Sequence, residues 1–122
     1  MNIRIAIDGP AVSGKSSAAR RLAGRLGYLY LDSGAVYRAL TLALLRGQWS
    51  LDCAAQGLAE LDLNLEATEN GCRVLLRGED VSSRIRREDV SSSILPVSGS
   101  EAVRAWVTDF LRAQASDANV VM

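Results

Sequence analysis

"GPAVSGKSS", residues 9–17, follows the apolar run Ile3-Arg4-Ile5-Ala6-Ile7 and leads into a segment with helical spacing. Gly9, Pro10, Ala11, Val12, Ser13, Gly14, Lys15 and Ser16 satisfy G-x-x-x-x-G-K-[ST] at every position, and Ser17 follows. The physics accounts for each fixed residue. Glycine tolerates positive φ and close backbone approach, so successive N–H groups can turn inward as an anion nest. A helix starting near Gly14 adds its positive end. Lys15 suits the outer phosphates of a nucleotide, and the Ser16 hydroxyl suits Mg²⁺. Fourteen basic residues are present, and Lys15 is the one lysine among them.

The 122 residues are 48% apolar and 23% charged, with zero formal net charge. That balance fits one soluble globular domain. It argues against a nucleic-acid reader, which needs a clustered basic surface. Met1-Asn2-Ile3-Arg4 has no signal-peptide pattern, and Ala39–Leu45 is too short to span a bilayer, so no membrane association is expected. Cys53 and Cys72 form no C-x-x-C pair and read as reduced structural thiols of a cytoplasmic protein. Histidine is absent, which removes His triads, His general bases and His zinc sites.

In chain order, Ile3–Ile7 reads as a strand buried on both faces. Ala18, Ala19, Leu22, Ala23 and Leu26 then follow a helical stripe closed by Gly27. Tyr28–Leu31 is a second strand. A second helix opens at Asp32-Ser33-Gly34 and carries Val36, Leu40 and Leu44, with Gly47 past its end. Strand, loop, helix and strand make a βαβ unit with a parallel sheet. From Leu61 to Glu66 the residues alternate apolar and polar, Asn70-Gly71 predicts a two-residue hairpin turn, and Arg73–Leu76 predicts the return strand. Next comes a polar segment bearing Arg84, Arg86 and Arg87. Ser98 and Glu101 have capping-box spacing ahead of a helix carrying Val103, Trp106, Val107, Phe110 and Leu111. Asn119–Met122 opens a further strand.

Ligands of open parallel sheets sit beyond the carboxyl ends of the strands. Asp32-Ser33-Gly34 lies on that rim beside the phosphate loop. With Ser33 as N-cap, Gly34 and Arg38 stack at i, i+4, so an amide, a hydroxyl and a guanidinium converge on one anion. A capped helix with a solvated arginine fits the same residues.

"IAIDGPAVSGKSS" followed by "LGYLYLDSGAVYRAL" resembles the bacterial cytidylate kinases, which phosphorylate CMP and dCMP with ATP. The hairpin, "GEDVSSRIR" and "VRAWV" follow in the family's order, so the likeness covers essentially the whole chain. It implies an α/β, three-layer P-loop nucleoside-monophosphate kinase fold, with residues 1–122 one kinase domain and 61–97 a monophosphate-binding insert. It implies ATP with Mg²⁺ at Gly9–Ser17, Lys15 catalytic, and Ser16 on the metal. Asp32, Ser33, Gly34, Tyr37 and Arg38 would line the CMP site, and Arg104 would reach the acceptor phosphate, although a solvated helix position also accounts for Arg104. The same motifs leave open another small-molecule P-loop kinase, or a nucleotide-binding remnant without activity.

Val12 and Leu95-Pro96 depart from the small residues usual in the family at those places. Met122 falls before the family's Asp-Gly-Arg-Asp segment and its arginine-bearing lid. The expectation is therefore a full-length monomer, with weak ATP binding and self-association for these 122 residues alone. By the family's topology the Asn119–Met122 strand lies between Ile3–Ile7 and Tyr28–Leu31.

Overall fold

The computed structural model describes residues 3–5, 15–26, 28–68, 71–117 and 119–121. Its first sheet is parallel and joins β1 (Arg4–Ile5), β6 (Val120–Val121) and β2 (Leu29–Tyr30) in the order β1-β6-β2. Arg4 and Leu29 flank Val120, and Ile5 and Tyr30 flank Val121. The last strand therefore sits between the first two, as the family topology implies. Asn119 binds both neighbours. Its side-chain oxygen accepts from the Ile3 N–H at 2.8 Å, and its carbonyl accepts from the Leu29 N–H at 2.9 Å.

The two faces of this sheet meet different layers. On one, α1 (Lys15–Leu26) packs Leu22 and Ala23 against Ile5, Tyr28 and Tyr30. On the other, Leu29 and Val120 enter the main core with α2 (Ser33–Leu45) and α6 (Glu101–Asp117). Two expected core positions fall outside both clusters. Ile3 precedes the paired strand and is 49% exposed, and Leu26 ends its helix 45% exposed.

Helix α2 is the hub. Val36, Ala39, Leu40, Leu42 and Ala43 are fully buried. At its end Gly47 adopts φ +74°, its N–H bonds to the Leu44 carbonyl, and the Gln48 N–H bonds to that of Ala43. This paired closure needs a left-handed residue, which glycine supplies without strain. The chain then turns Trp49 back under α2, where its Nε1 donates to the Leu40 carbonyl at 2.8 Å. Helix α3 (Ala54–Ala59) presses Gly57 against that indole; a Cβ on Gly57 would lie 2.8 Å from the Trp49 Cβ.

The second sheet is antiparallel, ordered β3 (Leu63–Thr68), β4 (Gly71–Leu76) and β5 (Glu79–Asp80). Leu63, Leu65, Val74 and Leu76 point into the main core, while Asn64 and Glu66 face water, as the alternation predicts. On the wet face Arg73 bridges Glu66 and Asp80. Gly71 pairs with Thr68 and so opens the return strand instead of completing an Asn70-Gly71 turn; Asn70 lies outside the described residues. Arg46, at the end of α2, holds Glu79 through two hydrogen bonds of 3.0 and 3.2 Å. Beyond β5 come a turn of 3-10 helix (Arg84–Arg86), α4 (Glu88–Ser91) and α5 (Ile94–Ser98). The expected capping box also shifts. Ser98 belongs to α5, and Ser100 caps α6 by accepting from the Val103 N–H at 3.4 Å.

Candidate functional site

Helix α1 begins at Lys15, so Lys15, Ser16 and Ser17 form its first turn, which contains no acidic residue. Gly9 to Gly14, and the side chains of the three residues that follow, lie outside the described residues.

The rim at the end of β2 is described in atomic detail. Strand β2 ends at Tyr30, and Asp32 turns the chain into α2 with extended φ and ψ of −107° and 101°. Asp32 is itself the N-cap: its Oδ1 accepts from the Ala35 N–H at 3.3 Å. The cap expected at Ser33 therefore moves back one residue, and Ser33 is an exposed first-turn residue. The correction follows from reach, since the capping oxygen must meet an amide two or three residues on. Gly34 leaves that carboxylate room, because a Cβ there would stand 3.1 Å from Oδ1.

One turn further, the half-buried Arg38 crosses to the segment after β5. Its Nη1 donates to the Ser91 hydroxyl at 2.8 Å and to the Ile85 carbonyl at 3.5 Å. Both acceptors are neutral, so the guanidinium is oriented without its charge being cancelled. Its remaining N–H groups are available to an anion.

Two adjoining clefts open here. The smaller, about 90 Å³, is lined by Asp32, Gly34, Ala35, Arg38, Ile85 and Arg86. The larger, about 240 Å³, shares Asp32, Ala35, Ile85 and Arg86 and adds Tyr30, Cys72, Val74, Ser82 and Ser83. Asp32, Gly34 and Arg38 are thus brought together. Tyr37 packs against the main core, and Arg104 is exposed on α6; neither lines these clefts. Arg86 and the hairpin residues were not singled out from sequence. The available signal was the polar arginine-bearing segment, whose place over β2 depends on the hairpin fold. Within that segment Arg84 is engaged by Asp89 through hydrogen bonds of 2.8 and 2.6 Å. Those bonds hold the Asp89 carboxyl below its ordinary pKa.

A family model described as cytidylate kinase matches residues 5–122. The chain belongs to the cytidylate kinase family. Cytidylate kinases of Geobacillus sp. strain WCH70, Symbiobacterium thermophilum and Mycobacterium leprae are 45%, 47% and 47% identical to it. These matches cover 99%, 97% and 93% of this chain and 55%, 54% and 51% of the relatives' own lengths. The chain therefore spans about half the length of the curated relatives it matches. Membership in the cytidylate kinase family carries the P-loop nucleoside-monophosphate kinase fold. Among the described residues, no helix is long and apolar enough to cross a membrane, and no group of three or more His, Cys, Asp or Glu could hold a metal ion.

Proposed function

We propose that this chain carries the nucleotide sites of a cytoplasmic kinase that transfers the γ-phosphoryl group of ATP to CMP or dCMP. The family match over residues 5–122 carries this reading. The rim around Arg38 supports it chemically, since an oriented guanidinium at the carboxyl end of a parallel strand suits an acceptor monophosphate.

Phosphoryl transfer asks a protein chiefly to align two nucleotides and neutralise charge. Gly9–Ser17 would hold the ATP phosphates, with the α1 amides and Lys15 facing them. A first turn free of carboxylates fits that task. Mg²⁺ keeps most of its water and binds through few protein oxygens, so a single Ser16 hydroxyl with nucleotide phosphates is a fitting donor set. The ion supplies charge neutralisation between the phosphates. Asp32, Gly34 and Arg38 form the acceptor side, Arg38 orienting the CMP phosphate, while Ser33, Tyr37 and Arg104 are assigned to it by the family resemblance alone. Residues 61–97 act as the monophosphate-binding insert, its hairpin covering the nucleoside. Positioning and charge carry the reaction, so the lack of histidine is no obstacle.

The two cysteines provide the test. Cys72 lines the larger cleft, whereas Cys53 is exposed elsewhere. CMP is expected to slow alkylation of Cys72 by iodoacetamide and leave Cys53 unchanged, while AMP protects neither. Equal Cys72 rates with and without CMP would reject the acceptor assignment. On the donor side, Lys15→Ala should weaken ATP–Mg²⁺ binding by about tenfold, the worth of a charge-assisted phosphate contact. Calorimetry giving the same affinity for both proteins would remove Lys15 from the site.

A further inference from the structure

We infer that the cleft at the far end of α2, beside α3 and the β4–β5 turn, is a binding site for a basic α-amino acid. The space is about 490 Å³ and is lined by Gln48, Gly57, Glu60, Leu61, Asp62 and Arg77. None of these residues lines the two clefts at the end of β2, so the inference stands apart from the CMP reading.

Several lining groups are ones the fold itself leaves unused. The Gln48 backbone N–H closes α2, but its side-chain oxygen is buried with no hydrogen-bond partner among the described residues. Buried polar atoms are nearly always paired, so this amide marks a place where a donor is expected. Glu60 ends α3 and Asp62 precedes β3; neither carboxylate forms an ion pair among the described residues. One Asp62 oxygen accepts from the Asn64 side-chain amide at 2.9 Å, which leaves the other for a ligand. Arg77 comes from the β4–β5 turn, where its N–H donates to the Asp62 carbonyl at 2.8 Å. Its guanidinium has no ion-pair partner among the described residues. Arg77 adopts φ 52° and Gly78 φ 82°. A tight hairpin turn of this kind favours Asn, Asp or Gly at its first position, so backbone preference does not account for an arginine there.

Two carboxylates and one guanidinium thus share a cleft without pairing with each other. Their complement is a molecule with two cationic groups and one carboxylate, the charge pattern of a free basic amino acid. The ligand carboxylate suits the Arg77 fork, the two cations suit Glu60 and Asp62, and an ammonium brings the N–H that Gln48 lacks. Half-buried Leu61, packed against the main core, offers apolar surface to a methylene chain. The volume falls within the range of about 300–1,000 Å³ for small-molecule sites. A divalent cation suits this set poorly, because Arg77 adds a like charge and the acidic ligands are two, not three.

The test is an amide NMR titration of the isotope-labelled 122-residue chain with L-lysine. Cadaverine, which lacks the carboxylate, and norleucine, which lacks the side-chain ammonium, are titrated beside it. Lysine is expected to bind in the millimolar range, shifting the amides of Gln48, Gly57, Leu61 and Arg77 and leaving those of Ser33, Gly34 and Arg38 in place. Cadaverine and norleucine should each bind about fivefold more weakly, the loss of one exposed charge pair. Arg77→Asn suits the left-handed backbone and should keep the wild-type circular dichroism and melting temperature. It should weaken lysine about fivefold and not weaken cadaverine, which makes no use of the guanidinium. Glu60→Gln should weaken lysine by a similar factor. The site is overturned if lysine leaves these amides unshifted, or if lysine, cadaverine and norleucine bind equally. Wild-type lysine affinity in Arg77→Asn overturns it as well.

Discussion

Trp49→Ala is expected to lower the unfolding free energy by about 3–5 kcal/mol, the range for emptying a buried aromatic site. The indole is buried in the main core, donates to the Leu40 carbonyl and lies against the bare Cα of Gly57. Glycine has no side chain to move into the vacated volume, so the cavity stays largely open. A domain of this size has only about 5–15 kcal/mol of stability in all. The variant should therefore unfold at a much lower urea concentration, read by far-ultraviolet circular dichroism. Trp49→Phe keeps much of the ring and loses the N–H, and should cost markedly less. A Trp49→Ala loss below about 1 kcal/mol, the level of an ordinary surface substitution, would mean that α2 and α3 do not close on this residue.

Arg38→Ala should reduce CMP affinity by about 10- to 150-fold and leave ATP affinity within a factor of about two. A hydrogen-bonded charged contact contributes about 1.5–3 kcal/mol, and each 1.4 kcal/mol is tenfold. Ser91→Ala should have a smaller effect in the same direction, since it frees the guanidinium from the nearer of its two anchors. Titration of each nucleotide separately reads the difference. If ATP affinity falls and CMP affinity does not, Arg38 serves the donor nucleotide and the site assignment is reversed.

Much of this architecture is legible in local sequence. The alternation from Leu61 to Glu66 states which hairpin face is wet, because side chains in a strand alternate. Gly47 marks the end of α2, because the closing turn needs its positive φ. Capping residues are harder to read. Asp32 and Ser33 are both good caps, as are Ser98 and Ser100, and only the backbone path decides between neighbours. Exposure at element ends is harder still: Ile3 and Leu26 fit their stripes, but a stripe does not say how far the neighbouring layer extends. The rim at the end of β2 was legible at Asp32, Gly34 and Arg38, which lie within the first two turns of α2 and its cap. Its far wall was not. Ile85, Arg86 and Ser91 meet Arg38 across about fifty residues of sequence, a distance set by how the antiparallel sheet packs on α2.

The strand order β1-β6-β2 has a consequence for the birth of the molecule. Neither Leu29 nor Arg4 can find its parallel partner until Val120 has been made. At ribosomal speeds of about 5–20 residues per second, the ninety or so residues between β2 and β6 correspond to a wait on the order of ten seconds. The hairpin Leu63–Leu76 has its partners close in sequence and can form while synthesis continues. The antiparallel sheet, whose partners are close in sequence, is thus assembled first. The parallel sheet closes later, when β6 inserts between two strands that were made long before it.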